Sequence, residues 1–341
     1  MTEQLTPQPW ARPGWLADAG AWIHAAAERH GLTPTGPVEQ PHTYPWSCVL
    51  RLPTTEGPLW FKAPVPSVAH EVAVTQALAG WHPDCLVELL EADTGRGWML
   101  MRDAGTPLRA QIRPTKDLRP WRGVLARYAE LQIELSARVP ELLQLGAPDQ
   151  RLAQLPALFE QLLTDTAMLR LDQSPGLSAA EHRQLLELAQ HFQGQCAELA
   201  TFGIPESLNH GDLHDGNVLV RAGRAIFFDW GDGCVTHPFV SLRTVFVSVA
   251  NSLELDDFAF TAAMAEMRDE YLEPWTRYAP REELRAAATA ARRIAPIVGA
   301  LGWHRVLSTA GAGAREKYPL PVPGLLQEYL EPDSPSMLLT E

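Results

Sequence analysis

Three oxygen-bearing side chains, Asp212, Asn217 and Asp229, fall in one short stretch of a 341-residue chain. They stand in Asn209-His210-Gly211-Asp212-Leu213-His214-Asp215-Gly216-Asn217-Val218-Leu219-Val220 and in Phe227-Phe228-Asp229-Trp230-Gly231. Moving a phosphoryl group needs a carboxylate to orient or deprotonate the attacking hydroxyl, and hard oxygen ligands to hold Mg²⁺ on the nucleotide phosphates. These three residues can supply both. Asn217 and Asp229 lie six residues on either side of Gly223, so a hairpin turning at Ala222-Gly223 is expected to return the chain and set their side chains near each other. One metal ion is then within reach of both. Asp212 comes five residues before Asn217, on a loop entering the hairpin, close to the metal without having to be a ligand.

His210-Gly211-Asp212, four residues and Asn217 resemble the H-G-D-x-x-x-x-N catalytic loop of the aminoglycoside phosphotransferase and choline kinase-like family. Asp229-Trp230-Gly231 resembles the kinase D-F-G segment. The resemblance implies an α+β, two-lobed protein kinase-like fold, with a small antiparallel β-sheet lobe and a larger, mainly helical lobe. It implies Asp212 as the catalytic base or hydroxyl-orienting group, Asn217 and Asp229 as Mg²⁺ ligands, and His210 as a brace for the loop. The implied activity is Mg²⁺-dependent transfer of the γ-phosphate of ATP to a hydroxyl of a small metabolite or antibiotic, with the choice between ATP and GTP left open. Relatives phosphorylate aminoglycosides, choline-like amines, sugars, amino acids and nucleoside derivatives, so the acceptor is left open.

The same template asks for a strand lysine that reaches the nucleotide phosphates and a helix glutamate that holds it. Lys62 and Glu71 match. The chain has only three lysines, Lys62, Lys116 and Lys317, and Lys62 alone lies in an apolar strand pattern, Leu59-Trp60-Phe61-Lys62-Ala63, where an ammonium is costly unless paired. Trp98 to Arg102 resembles the hinge strand, which makes the backbone around Met101 an adenine contact. The chain also departs from the pattern. Gln40 to Ser47, expected to cover the phosphates, contains no glycine, so Thr43 or Ser47 is expected to make that contact. Ser241 stands where relatives often carry an aspartate, so any structural role of that carboxylate is absent or relocated. Among residues 232 to 303, Asp232, Glu254, Asp256, Asp257, Glu266, Asp269, Glu270, Trp275 and Trp303 fall where relatives form the acceptor pocket. Asp232 leads that set because it follows the metal segment directly. Two alternatives stay open: a catalytically silent nucleotide-binding pseudokinase, and a metal-dependent phosphohydrolase built on His210, Asp212, His214 and Asp215.

The elements that must position these residues read as follows. A leader holds one helix from about Trp15 to His30; strands at Trp46 to Leu52 and Leu59 to Ala63 form a hairpin about Thr54 to Pro58; a helix runs over Ala69 to Leu78, and a buried strand over Trp98 to Met101. Helices are expected near 119–137, 151–170 and 178–200, the last opened by the capping box Ser178-Ala179-Ala180-Glu181. Strands follow at Val218 to Val220 and Ala225 to Phe228, then helices to about residue 310, and a Pro-rich tail from Pro319 with little regular pattern. The expected division is 1–102, leader and nucleotide-binding lobe, and 103–341, helical lobe with the catalytic loop and acceptor pocket, with a hinge near 101–105.

Composition bounds the rest. Hydrophobic residues make up 46% and charged residues 20%, in the range of folded globular chains. A net charge of −13 argues against nucleic acid as a partner, since displacing counterions from phosphates needs a basic face. Cys48, Cys85, Cys196 and Cys234 are widely spaced, which fits reduced thiols in a cytoplasm. No apolar run reaches the ~20 residues of a membrane span. The oligomeric state is not legible.

Overall fold

Alternation in two short runs builds the first sheet. Leu50, Leu52, Leu59, Phe61 and Ala63 are buried together beneath a helix that contributes Trp15, Ala19, Ile23 and Ala26, while their strand neighbours Val49, Arg51, Trp60 and Lys62 are only partly covered. The computed structural model describes residues 8–254, 257–310 and 312–331. Met1 to Pro7 of the leader and the end of the tail lie outside them.

In chain order the first elements are α1 (Trp15–Arg29), β1 (Glu39–Thr43), β2 (Ser47–Leu52), β3 (Leu59–Pro64), α2 (His70–Trp81), β4 (Leu89–Asp93) and β5 (Trp98–Arg102). The five strands form one antiparallel sheet in the order β1-β2-β3-β5-β4. Trp15, Phe61 and Trp98 meet edge to face at centroid distances of 6.1, 6.0 and 5.5 Å, pairings worth about 0.5–1.5 kcal/mol each beyond their burial. Next come β6 (Thr106–Pro107), α3 (Arg109–Thr115), α4 (Arg119–Ser136), α5 (Val139–Gln144), α6 (Leu155–Thr164), α7 (Ala179–Glu187), α8 (Ala189–Ala200) and β7 (Ser207–Asn209). The hairpin β8 (Val218–Arg221) and β9 (Arg224–Phe227) precedes β10 (Cys234–Thr236), which pairs antiparallel with β7. Helices α9 (Ser241–Leu253), α10 (Asp257–Leu272), α11 (Arg281–Thr309), α12 (Ala312–Lys317) and α13 (Pro321–Leu330) complete the chain.

The chain divides into two compact units: Met1–Gly105 with Leu219–Gly231 and Arg305–Lys317, and Thr106–Val218 with Asp232–His304 and Tyr318–Glu341. The first contains the five-stranded sheet and the second is mainly helical.

Several expectations need correction. Glu39–Thr43 is a strand, so the glycine-free segment is the first arm and tip of a hairpin and not a loop throughout; Tyr44 N–H donates to the Ser47 carbonyl across a tight turn. The helix expected over 151–170 is confined to α6, and 178–200 is two helices broken at Leu188. The capping box is present, with Ser178 Oγ accepting from the Glu181 N–H and Glu181 accepting from the Ser178 N–H. The Pro-rich tail contains α13, opened by Pro321 at a position whose missing N–H has no intrahelical partner in any case. All four cysteines are free and buried; burial raises the Cys48 thiol pKa and pushes that of Cys196 up to about 12. No helix of the described residues is long and apolar enough to cross a membrane.

Candidate active site

In the first unit, Lys62 occupies the middle of β3, opposite Val49 and Met99. Its ammonium donates to Glu71 Oε1 at 2.6 Å and to Asp229 Oδ1 at 2.5 Å. Burial alone would lower the Lys62 pKa, but the charges and hydrogen bonds of Asp229 and Glu71 outweigh it and hold the pKa above its ordinary value, so the group stays cationic. Glu71, in the first turn of α2, is 1% exposed, whereas Asp229 is 40% exposed and keeps one face of its carboxylate toward solvent. Gly231 makes room for the buried acid: a Cβ there would stand 3.2 Å from Glu71 Oε2. Asp229 itself has φ 67°, a left-handed conformation that costs a non-glycine residue about 1–2 kcal/mol and that collects at functional sites.

The hairpin between the two motif segments turns where the spacing predicted. Ala222 at φ 51° and Gly223 at φ 76° are the two left-handed central residues of a tight hairpin turn. Strand β8 begins immediately after Asn217 and β9 ends two residues before Asp229.

In the second unit, Asp212 and Asn217 are joined directly. Asn217 Nδ2 donates to the Asp212 carbonyl and to Asp212 Oδ2, both at 3.0 Å, so the amide closes the catalytic loop onto its own start and leaves Asn217 Oδ1 as an acceptor. Gly211, at φ 80°, admits no side chain, since its Cβ would lie 2.3 Å from the Asp232 carbonyl oxygen. His210 is fully buried; its ring accepts from the Asp212 N–H at 3.4 Å and its own N–H donates to the Tyr128 hydroxyl at 2.9 Å, so it serves as a brace.

A buried neutral network holds the strand that feeds this loop. Ser241 Oγ donates to Asn209 Oδ1 at 2.6 Å and accepts from Gln132 Nε2 at 3.3 Å, while Gln132 Nε2 also donates to the Leu208 carbonyl at 3.0 Å. Ser207 Oγ donates to the Gln132 carbonyl, and the Tyr271 hydroxyl lies 2.5 Å from Gln132 Oε1. At position 241 a hydroxyl joins Asn209 to Gln132. Burial raises the Tyr128 pKa, so its phenol stays neutral. Tyr128, Gln132 and Tyr271 were not singled out in the sequence; the usable signal was Gln132, a polar residue on the apolar stripe of α4.

The remaining candidates fall elsewhere. Ser47 is buried at the start of β2, opposite Pro64, and Thr43 ends β1. Met101 lies in β5 between Trp60 and Leu89. Asp232 meets Gly211 through its backbone. Glu266 and Glu270 pair with Arg122, Asp269 pairs with Arg268 and Arg285, Trp275 is packed on Phe239 at 5.3 Å, and Trp303 stacks on Tyr318. Helix-surface ion pairs and core packing occupy these side chains. Glu254 is exposed at the end of α9; Asp256 and the side chain of Asp257 lie outside the described residues. For the hydrolase alternative, His210 and His214 each hold backbone N–H groups on Nδ1, and among the described residues no three His, Cys, Asp or Glu side chains gather as a metal cluster.

The phosphotransferase enzyme family matches residues 47–284, more than half of the chain and inclusive of both motif segments. The chain belongs to this family. Solved structures carry the family's fold. A choline/ethanolamine kinase family protein from Mesorhizobium loti superimposes with a TM-score of 0.61 at 17% identity, over 94% of this chain and 96% of that one. The macrolide 2′-phosphotransferase MphH from Brachybacterium faecium gives 0.53 at 18% identity, over 88% and 97%. The ADP-bound aminoglycoside phosphotransferase APH(2″)-Ib gives 0.53 at 15% identity, over 95% and 100%. Curated protein sequences give no match. The architecture is the protein kinase-like fold of these phosphotransferases, mixed α and β with an antiparallel sheet.

Proposed function

We propose that this family member is a small-molecule kinase that moves the γ-phosphoryl group of ATP to a hydroxyl. The observation that carries the reading is the Asp212–Asn217 closure. It holds a carboxylate that is 41% exposed on a loop closed by the Asn217 amide. Asp212 orients the acceptor hydroxyl and takes its proton as the oxygen attacks phosphorus. Lys62, fixed by Glu71, neutralises charge on the nucleotide phosphates, and the backbone around Met101 receives the base.

The donor set suits Mg²⁺, which prefers one or two protein oxygens completed by phosphate and water. Asn217 Oδ1 and the half-exposed Asp229 carboxylate are such oxygens, and we assign them as its ligands. When bound, the ion neutralises charge on the β- and γ-phosphates. Positioning and charge complementarity, not a covalent intermediate, then account for the rate.

The relatives' names span choline or ethanolamine, macrolides and an aminoglycoside, so the acceptor class here is any small hydroxyl compound. A coupled ADP-release screen over amino alcohols, aminoglycosides, macrolides, sugars and nucleosides, run with ATP and with GTP and repeated with EDTA, tests the reading. Acceptor-dependent, EDTA-sensitive ADP release that disappears in Asp212→Ala is the expected result. Release that is indifferent to Asp212 refutes the mechanism.

A further inference from the structure

We infer that His214 is a positioning residue for Asp212, acting as a neutral imidazole whose Nε2–H is turned toward the carboxylate. The inference deepens the kinase reading and rests on the role assigned there to Asp212. His214 Nδ1 accepts from the backbone N–H groups of Gly216 at 2.9 Å and Asn217 at 3.1 Å, and Arg109 Nη2 lies 3.2 Å away. All three neighbours are N–H donors, so Nδ1 must present its lone pair. A neutral ring then carries its proton on Nε2.

That nitrogen stands 3.4 Å from Asp212 Oδ2, a long contact of the kind catalytic groups show before substrate binds. The same Oδ2 accepts from Asn217 Nδ2. Two N–H groups converging on one oxygen fix the rotation of the carboxylate. The ring is in turn held from behind. Arg109 Nη2 pairs with Asp215 Oδ1 at 3.1 Å, and Asp215, 3% exposed, accepts at its other oxygen from Ser252 Oγ at 2.9 Å. Gly216 is required for this arrangement, because a Cβ there would lie 2.1 Å from Arg109 Nη2.

The two nitrogens can be separated by substitution. In His214→Asn the amide oxygen takes the place of Nδ1 and keeps the loop bonds, but nothing reaches Asp212. In His214→Gln the amide nitrogen reaches the Nε2 position while the loop acceptor is lost. Long-range ¹H–¹⁵N spectra of the imidazole in the intact protein at neutral pH are expected to show the Nε2–H tautomer. Steady-state kinetics are expected to show kcat in His214→Asn down by roughly tenfold to a hundredfold, the usual loss when the hydrogen-bond partner of a functional group is removed. The KM for ATP should stay within about twofold, because the missing contact matters in the transition state and not for nucleotide binding. His214→Gln should turn over faster than His214→Asn. An Nδ1–H spectrum, or wild-type kcat in His214→Asn, or the reverse order of the two variants, overturns the inference. Turnover that survives Asp212→Asn removes the parent reading instead, and the tautomer spectrum tells the two failures apart.

Discussion

Asp229 and Asp212 are nearly equally exposed, at 40% and 41%, yet the chain restrains them by opposite means. In the first unit Asp229 rests on the ammonium of Lys62, which is itself buried against Glu71. In the second unit Asp212 is held by a side-chain amide and by the ring of His214, on a loop braced by hydroxyls and amides. The difference fits the roles we propose for the two groups. A full positive charge in contact with a carboxylate weakens its affinity for a proton, which suits a metal ligand and handicaps a base. Uncharged donors fix direction at a smaller cost in basicity.

The comparison can be broken at four points. The largest effect is expected from Asp212→Asn, which keeps shape and removes the base: kcat should fall by about a hundredfold to ten thousandfold, with nucleotide affinity measured by calorimetry little changed. Lys62→Ala should cost about 3–5 kcal/mol in denaturant unfolding, because the buried Glu71 would lose its cationic partner, and the Lys62→Ala/Glu71→Ala double variant should recover part of that loss. A strictly additive double variant would mean that the ionic brace is not the source of stability.

Tyr128→Phe strikes the neutral side. It removes the hydroxyl that accepts from the buried His210 backbone N–H and should cost about 1–3 kcal/mol. A loss as large as that of Lys62→Ala would erase the contrast between the two kinds of brace. The fourth effect is one of pH. His237, buried near β10, accepts from the Phe239 N–H, and burial lowers its pKa to about 3. The unfolded chain takes up a proton near pH 6.5, which the native state refuses until about pH 3, so stability should fall as pH drops through that window. The slope is about 1.4 kcal/mol per pH unit. His237→Asn should flatten that slope in urea titrations between pH 7 and pH 4; an unchanged slope would assign the acid sensitivity to other groups.

The Asp212–Asn217 closure was legible because it is local: the two residues are five apart, and Ala222-Gly223 is a turn in its own right. Lys62 was legible by scarcity, as the only lysine in an apolar strand. The bracing network was not, since Tyr128 and Ser241 are 113 residues apart and no spacing rule relates them. Strand β1 was missed because all five of its residues are exposed and show no alternation, as an edge strand allows. Strand β4 is half-buried throughout and offers no contrast to read. The prolines of the tail suggested irregular chain, although at a helix start they interrupt nothing. The acidic residues of α10 fell in the segment expected to form the acceptor pocket, and their pairing with Arg122, Arg268 and Arg285 was not legible because Arg122 and Arg285 lie on other elements.

The placement of the four thiols gives the molecule a built-in clock. Cys48 and Cys85 lie in the first unit, and Cys196 and Cys234 in the second, none accessible to a reagent in the folded state. Alkylation can proceed only when the surrounding unit opens, so mass-spectrometric labelling rates at the two pairs time the breathing of each unit separately, without any introduced probe.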